Sequence, residues 1–296
     1  PNDGLFGAPP IRVLVSEQAH GTVFKALSLL GLGRNRVELL PADNNGRIDA
    51  TVLPDLDDRT LLILQAGNVN TGSFDDFGPI CQRARAAGSW VHIDGAFGLW
   101  VASSKRLRHL VRGIEKADSW ATDAHKWLNV PYDSGIAFVA DADAHKTAMT
   151  IPAAYKVEVD NVRDQFEWGP EWSRRARGIP IYAALRTLGR NGVAEIIERC
   201  CDMATNLVDQ LGALPGVEVL SHPVINQGLV RFTDPGGNHD GRTDEIINRV
   251  NESGEAWFGP TQWNGMRVMR VSVSSYRTRQ EDVDRAIASF RKALSR

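Results

Sequence analysis

The chain has 296 residues and a net charge of −2 at pH 7, from 34 Lys and Arg against 36 Asp and Glu. That balance lacks the basic excess a phosphate backbone demands, which argues against a nucleic-acid module. Hydrophobic residues at 43% and charged residues at 24% are ordinary globular values, and no apolar run approaches a membrane-spanning length. At ~150 residues per domain, the length fits one large domain or two unequal ones. Of three cysteines, Cys200 and Cys201 are adjacent and fit no disulfide framework. Free thiols point to a reducing compartment, so a cytoplasmic location is expected.

The chain opens PNDGLFGAPP, without an initiator Met or a signal pattern, and enters a strand-like run at once. IRVLVSE (11–17), LLILQAG (61–67), WVHIDGA (90–96), DSWATDA (118–124) and SGIAFVA (134–140) have strand length and apolar character. Helix-period stretches at 20–33, 79–88 and 108–118 separate them. Buried strands alternating with amphipathic helices predict βαβ units, hence an α/β fold with a mostly parallel sheet covered on both faces. Ligand sites in such sheets lie at the carboxyl ends of the strands.

Residues 150–180 carry Pro152, Pro170 and Pro180 in a long irregular connection, of the kind usually kept for function. A helix-rich stretch follows from 181. Then come strand-like VEVLS, LVRFT, EAWFG and MRVMRVSVSS, with helices at TDEIINRVNESG and EDVDRAIASFRKAL. The organisation expected is a large domain over 1–190 and a small α+β domain over 191–296.

Two residues carry the chemistry. Asp94 in WVHIDGAFG and Lys126 in TDAHKWLNVPYDSG each follow an apolar run, so both can sit at one end of the sheet. A lysine amine and a strand-end carboxylate suit pyridoxal phosphate: the amine condenses with the aldehyde, and the carboxylate keeps the pyridine nitrogen protonated. On spacing alone, a buried salt bridge or two unrelated surface charges is the favoured explanation of the pair. His125 precedes the lysine, and His20 follows the first strand run.

In this order, SEQAHGTV, GNVNTGSFDDF, HIDGAFG and DAHKWLNVPYDSG resemble the group II pyridoxal-phosphate-dependent decarboxylases, from about residue 12 to the C-terminus. That resemblance implies the fold type I, aminotransferase-like architecture and loss of the α-carboxylate of an L-amino acid, with aromatic amino acids favoured. It makes Lys126 the Schiff-base lysine, Asp94 the partner of the pyridine nitrogen, His20 the ring-stacking histidine and Ala96 the small residue beneath the ring. Asp123, His125 and Asn68 fall where the family contacts the cofactor, although the family often has Thr in place of Asn68. Tyr155 resembles the loop tyrosine that returns a proton to carbon. Ser173 matches a position approaching the cofactor phosphate across a homodimer interface, and Arg270 the arginine that holds the substrate carboxylate.

Each has a plainer reading: Arg270 as a solvated strand residue, Tyr155 as a loop anchor, the RRAR run at 174–177 as a charged helix start. Family members also carry an upstream segment that dimerises and supplies a glycine-rich phosphate loop, and nothing before His20 matches that loop. The expectation is therefore a partial chain, with the upstream part cleaved, disordered, absent or supplied as a second polypeptide. The competing functions are another pyridoxal-phosphate lyase, an aldehyde-forming enzyme, or a non-catalytic subunit that needs the upstream segment to hold cofactor.

Overall fold

The computed structural model describes residues 3–151 and 163–295. Its first part runs β1 (Arg12–Ser16), α1 (Gly21–Leu29), β2 (Glu38–Leu40), β3 (Thr60–Gln65), α2 (Phe77–Ala86), β4 (Trp90–Asp94), β5 (Ser119–Asp123) and β6 (Gly135–Val139). These strands form one sheet in the order β2-β1-β3-β4-β5-β6. All neighbours are parallel except β5 and β6. The apolar runs at 11–17 and 61–67 exist because both faces are packed: Val13, Val15 and Ile63 lie against α1, while Leu14, Leu62 and Leu64 join the core with α2. The antiparallel return of β6 pins both ends of the 124–134 loop beside the carboxyl end of β5.

The remainder holds α3 (Ala142–Met149), α4 (Gly178–Gly212), β7 (Val217–Ser221), β8 (Gln227–Phe232), α5 (His239–Glu252), β9 (Gly259–Trp263), β10 (Met266–Ser272) and α6 (Gln280–Leu294). The four strands make an antiparallel sheet in the order β7-β8-β10-β9. α5 and α6 cover it, and their buried stripe of Ile246, Ile247, Val250, Val283, Ile287 and Phe290 meets Phe232, Met269 and Val271. Each such side chain contributes ~1.5–3 kcal/mol of burial.

Long α4 belongs to both cores. Val193, Ile196, Ile197, Cys200 and Ala204 pack beneath the parallel sheet, whereas Leu207, Val208 and Leu211 pack with the small sheet. The helix thus carries large-sheet core past residue 190, where the sequence places its boundary. A break in helical geometry falls at Gly189, with φ +58°. Two local expectations differ from what is observed, and one strand is not anticipated by the sequence. The stretch 108–118 forms two short 3-10 turns, because Gly113 between them adopts φ +89° and packs against Gly78, where a Cβ would lie 2.7 Å from the Gly78 Cα. The edge strand β2, only ELL, is too short to show period. The strand expected at EAWFG starts at its last residue, Gly259, and leaves Trp257 77% exposed.

Candidate active site

Because β3, β4 and β5 are parallel neighbours, their carboxyl-terminal residues Gln65, Asp94 and Asp123 end side by side. Above them opens a cavity of about 1000 Å³, lined by His20, Asp94, Ala96, Asp123, Lys126 and Arg270, with His125 also in its wall. That size suits a small-molecule cofactor together with a substrate. Asp94 closes its own turn, accepting a hydrogen bond from Ala96 N to Oδ1 at 3.2 Å. Gly98 seals the loop that follows. Its N–H donates to Ala66 O at 3.0 Å, and a Cβ there would stand 2.2 Å from that oxygen, so only glycine lets the loops after β3 and β4 touch.

Lys126 is held by its surroundings on the β5–β6 loop. Its Nζ lies 3.0 Å from Asp123 Oδ2 and 4.9 Å above the Phe97 ring centroid. Phe97 in turn meets buried Trp127 edge to face, ring centroids 5.5 Å apart. Asn129 takes φ +53° and donates to Trp127 O and Ser274 O, tying this loop to the chain beyond β10. His125 Nε2 lies 3.8 Å from Asp123 Oδ2, and its Nδ1 sits 3.0 Å from both the amide nitrogen and the carbonyl oxygen of Ser134. Which of those two bonds forms depends on the ring tautomer. On its other side, His125 packs against the Tyr132 ring at 4.2 Å.

The remaining candidates divide. His20 caps α1, its Nδ1 accepting from Thr22 N at 3.3 Å, and lines the cavity. Arg270 on β10 is half-buried and donates from Nη1 to Val69 O at 3.1 Å; burial pulls its guanidinium down from the usual arginine range. Asn68 is instead turned inward. It is fully buried, accepts from Asn70 N and Thr71 N, and donates to Gln18 O, so its amide is spent on holding its own loop. Ser173 is exposed and outside the cavity wall. Tyr155 lies outside the described residues. The RRAR run docks on the lysine loop: Arg175 donates to Tyr132 O, and Arg177 pairs with Asp133 at 2.9 Å. Tyr132, Trp257 and Gln65 line the cavity without having been singled out in the sequence. For Gln65 a signal existed, since it is the polar residue that ends the apolar run LLILQ.

Asp75 fixes the end of β3. Its buried carboxylate accepts from Ile48 N and Gln65 N, both at 2.7 Å, and its own N–H donates to Gln65 O at 3.1 Å. Burial pushes this carboxyl from the usual 3.8 up to about 7. The folded state therefore binds the proton more tightly than the unfolded chain, and the stability that Asp75 confers falls as pH rises from about 4 to about 7. The melting temperature of the wild type minus that of Asp75→Asn is accordingly expected to grow as pH drops through this window. Thermal melts at several pH values check this, and a difference independent of pH would refute it.

Among the described residues, no group of three His, Cys, Asp or Glu is placed to hold a metal ion, and no helix is long and apolar enough to cross a membrane. Residues 11–233 match the pyridoxal-dependent decarboxylase conserved domain. The chain belongs to that family. It is 27% identical over 282 residues to an aromatic-L-amino-acid decarboxylase of Drosophila lebanonensis, covering 91% of this chain and 68% of that one. It is 25% identical to an aromatic-L-amino-acid decarboxylase of Bacillus atrophaeus, covering 92% and 60%. Among solved structures, Oryza sativa TDC with PLP and tryptamine superposes with a TM-score of 0.89 at 22% identity, covering 99% of this chain and 64% of that one. This decarboxylase-family chain thus spans between 53% and 68% of the length of the first five curated relatives it matches, and its fold is a mostly parallel sheet with a small antiparallel one.

Proposed function

We propose that this chain carries the catalytic residues of a pyridoxal-phosphate-dependent carboxy-lyase, which converts an L-amino acid to its amine and carbon dioxide. The observation that carries the reading is the convergence of the Lys126 amine and the Asp94 carboxylate on one cavity of sufficient size. The residues present fit the cofactor. An amine stands ready for its aldehyde, a carboxylate for its ring nitrogen, a small Ala96 for its face, and the buried Nε2 of Gln65 has no partner among the described residues.

Bound pyridoxal phosphate supplies an electron sink for the pair left when the carboxylate departs. The protein does the rest. Asp94 holds a proton on the ring nitrogen by its negative charge. Asp123 Oδ2, 3.0 Å from Lys126 Nζ, holds the lysine proton and can pass it on when the amine must react. Phe97, backed edge to face by Trp127, sets apolar surface against the lysine, which strengthens these charge contacts. Arg270, whose Nη1 donates to Val69 O, binds the substrate α-carboxylate in this reading. Tyr155 delivers the proton that replaces carbon dioxide on carbon, Ser173 serves a partner subunit's phosphate site in a homodimer, and the partial span leaves room for a further segment. An aromatic amino acid is the first substrate to try, since the Drosophila and Bacillus relatives are named for that class.

The test is to add pyridoxal phosphate to the purified protein, record the visible spectrum before and after borohydride, and assay L-amino acids for carbon dioxide and amine. A band that reduction fixes to the protein, with equimolar gas and amine from one class of substrate, is expected. A folded protein that takes up no cofactor would sink the reading.

A further inference from the structure

Gln65 stands out among the cavity residues by what it lacks. It ends β3, its Cα pairs with that of Asp94 across the parallel β3–β4 ladder, and both side chains face the cavity. Strands so paired lie ~4.8 Å apart, within reach of a glutamine side chain. The residue is 4% exposed, and its Nε2 is buried without a hydrogen-bond partner among the described residues. An unmade bond of this kind costs ~1–3 kcal/mol, so a buried donor on the residue paired with Asp94 is unfinished rather than incidental. Asp94 has acceptor capacity to spare: Ala96 N occupies Oδ1, and no other hydrogen bond or ion pair engages the carboxylate among the described residues. Nor can Gln65 drift away. Its backbone N–H and C=O are both tied to Asp75, a rigid strut behind the strand.

We infer that Gln65 is the positioning residue of the ring-nitrogen site: its side-chain amide donates to the Asp94 carboxylate when cofactor is bound, holding that carboxylate in place. The inference rests on the proposed cofactor and adds a residue to it. A neutral donor suits this place, because it favours the charged form of Asp94 without neutralising it, as a lysine or arginine would. The amide is thus an orienting partner for the carboxylate, comparable to the outer partners that fix the ligands of metal sites.

Gln65→Met keeps the length and removes the donor. Equilibrium dialysis of pyridoxal phosphate should show affinity reduced about tenfold, in keeping with the loss of one hydrogen bond to a charged group. The visible maximum of the bound cofactor should move. The cofactor-free Met variant should melt at or above the wild-type temperature, since it sheds an unsatisfied buried amide. In an Asp94→Asn background, the same substitution should change affinity less than twofold, because the partner charge is gone. Equal affinity and an unchanged spectrum in Gln65→Met would overturn the inference. So would an affinity loss that follows a lower melting temperature, or one that persists in full beside Asn. A wild-type protein that binds no pyridoxal phosphate overturns the cofactor reading along with it, whereas a wild type that binds and a Met variant that binds equally overturns this inference alone.

Discussion

Lys126→Ala is expected to abolish borohydride-fixed cofactor and to lower carbon dioxide release by at least about ten-thousandfold, the scale seen when a covalent nucleophile is deleted. Among the described residues, no other amine is held as Lys126 is, 3.0 Å from the Asp123 carboxylate and over the Phe97 ring. Structural damage should be slight. The Lys126–Asp123 pair is about a quarter exposed on each side, and such pairs contribute ~0–1 kcal/mol, so the melting temperature should hardly move. Reduced peptide mapping with tritiated borohydride provides the check. Label at another lysine, with activity retained in the alanine variant, would move the covalent site away from the β5–β6 loop.

The second large effect is at Asp94. Asp94→Asn keeps the shape and can still accept from Ala96 N, but it loses the charge. The ring nitrogen then has no anion to keep it protonated, and turnover should fall on the order of a thousandfold, while cofactor affinity drops by a smaller factor. Rate and affinity separate here because the charge acts chiefly on the electron pair generated at carbon dioxide loss, not on the ground state. Steady-state kinetics alongside dialysis measures both. If kcat survives in the Asn variant, Asp94 is a structural carboxylate and the nitrogen partner must be sought elsewhere in the cavity.

Much of the site could be read from the chain before any fold was known. The apolar runs ending in HIDG and ATDA mark strands by their length and continuity, and in a parallel sheet the residues just past such runs converge at one edge. Asp94 and Lys126 were legible as cavity residues for that reason, with His125 beside the lysine and His20 at the start of a helix after β1, whereas Asp123 was marked only by the family resemblance. Asn68, marked by the same resemblance, ended elsewhere. Two backbone N–H groups of its own loop lay closer than the cavity did, and an amide satisfied locally is not free to turn outward. Gly113 shows the same limit for secondary structure. The stretch around it has helical period, but its left-handed backbone, with Gly78 packed close by, breaks the helix.

The sequence by itself determined the class of fold, the alternation of strand and helix, and the chemical types placed at the strand ends, because periodicity and residue chemistry are local properties. The tertiary structure alone decided which of those ends are neighbours. It set Gln65 beside Asp94 through the β3–β4 register, placed buried Asp75 behind β3, turned β6 antiparallel so that the lysine loop is held at both ends, and let α4 serve two cores. Register and packing depend on contacts between residues far apart in the chain, and no local pattern contains them.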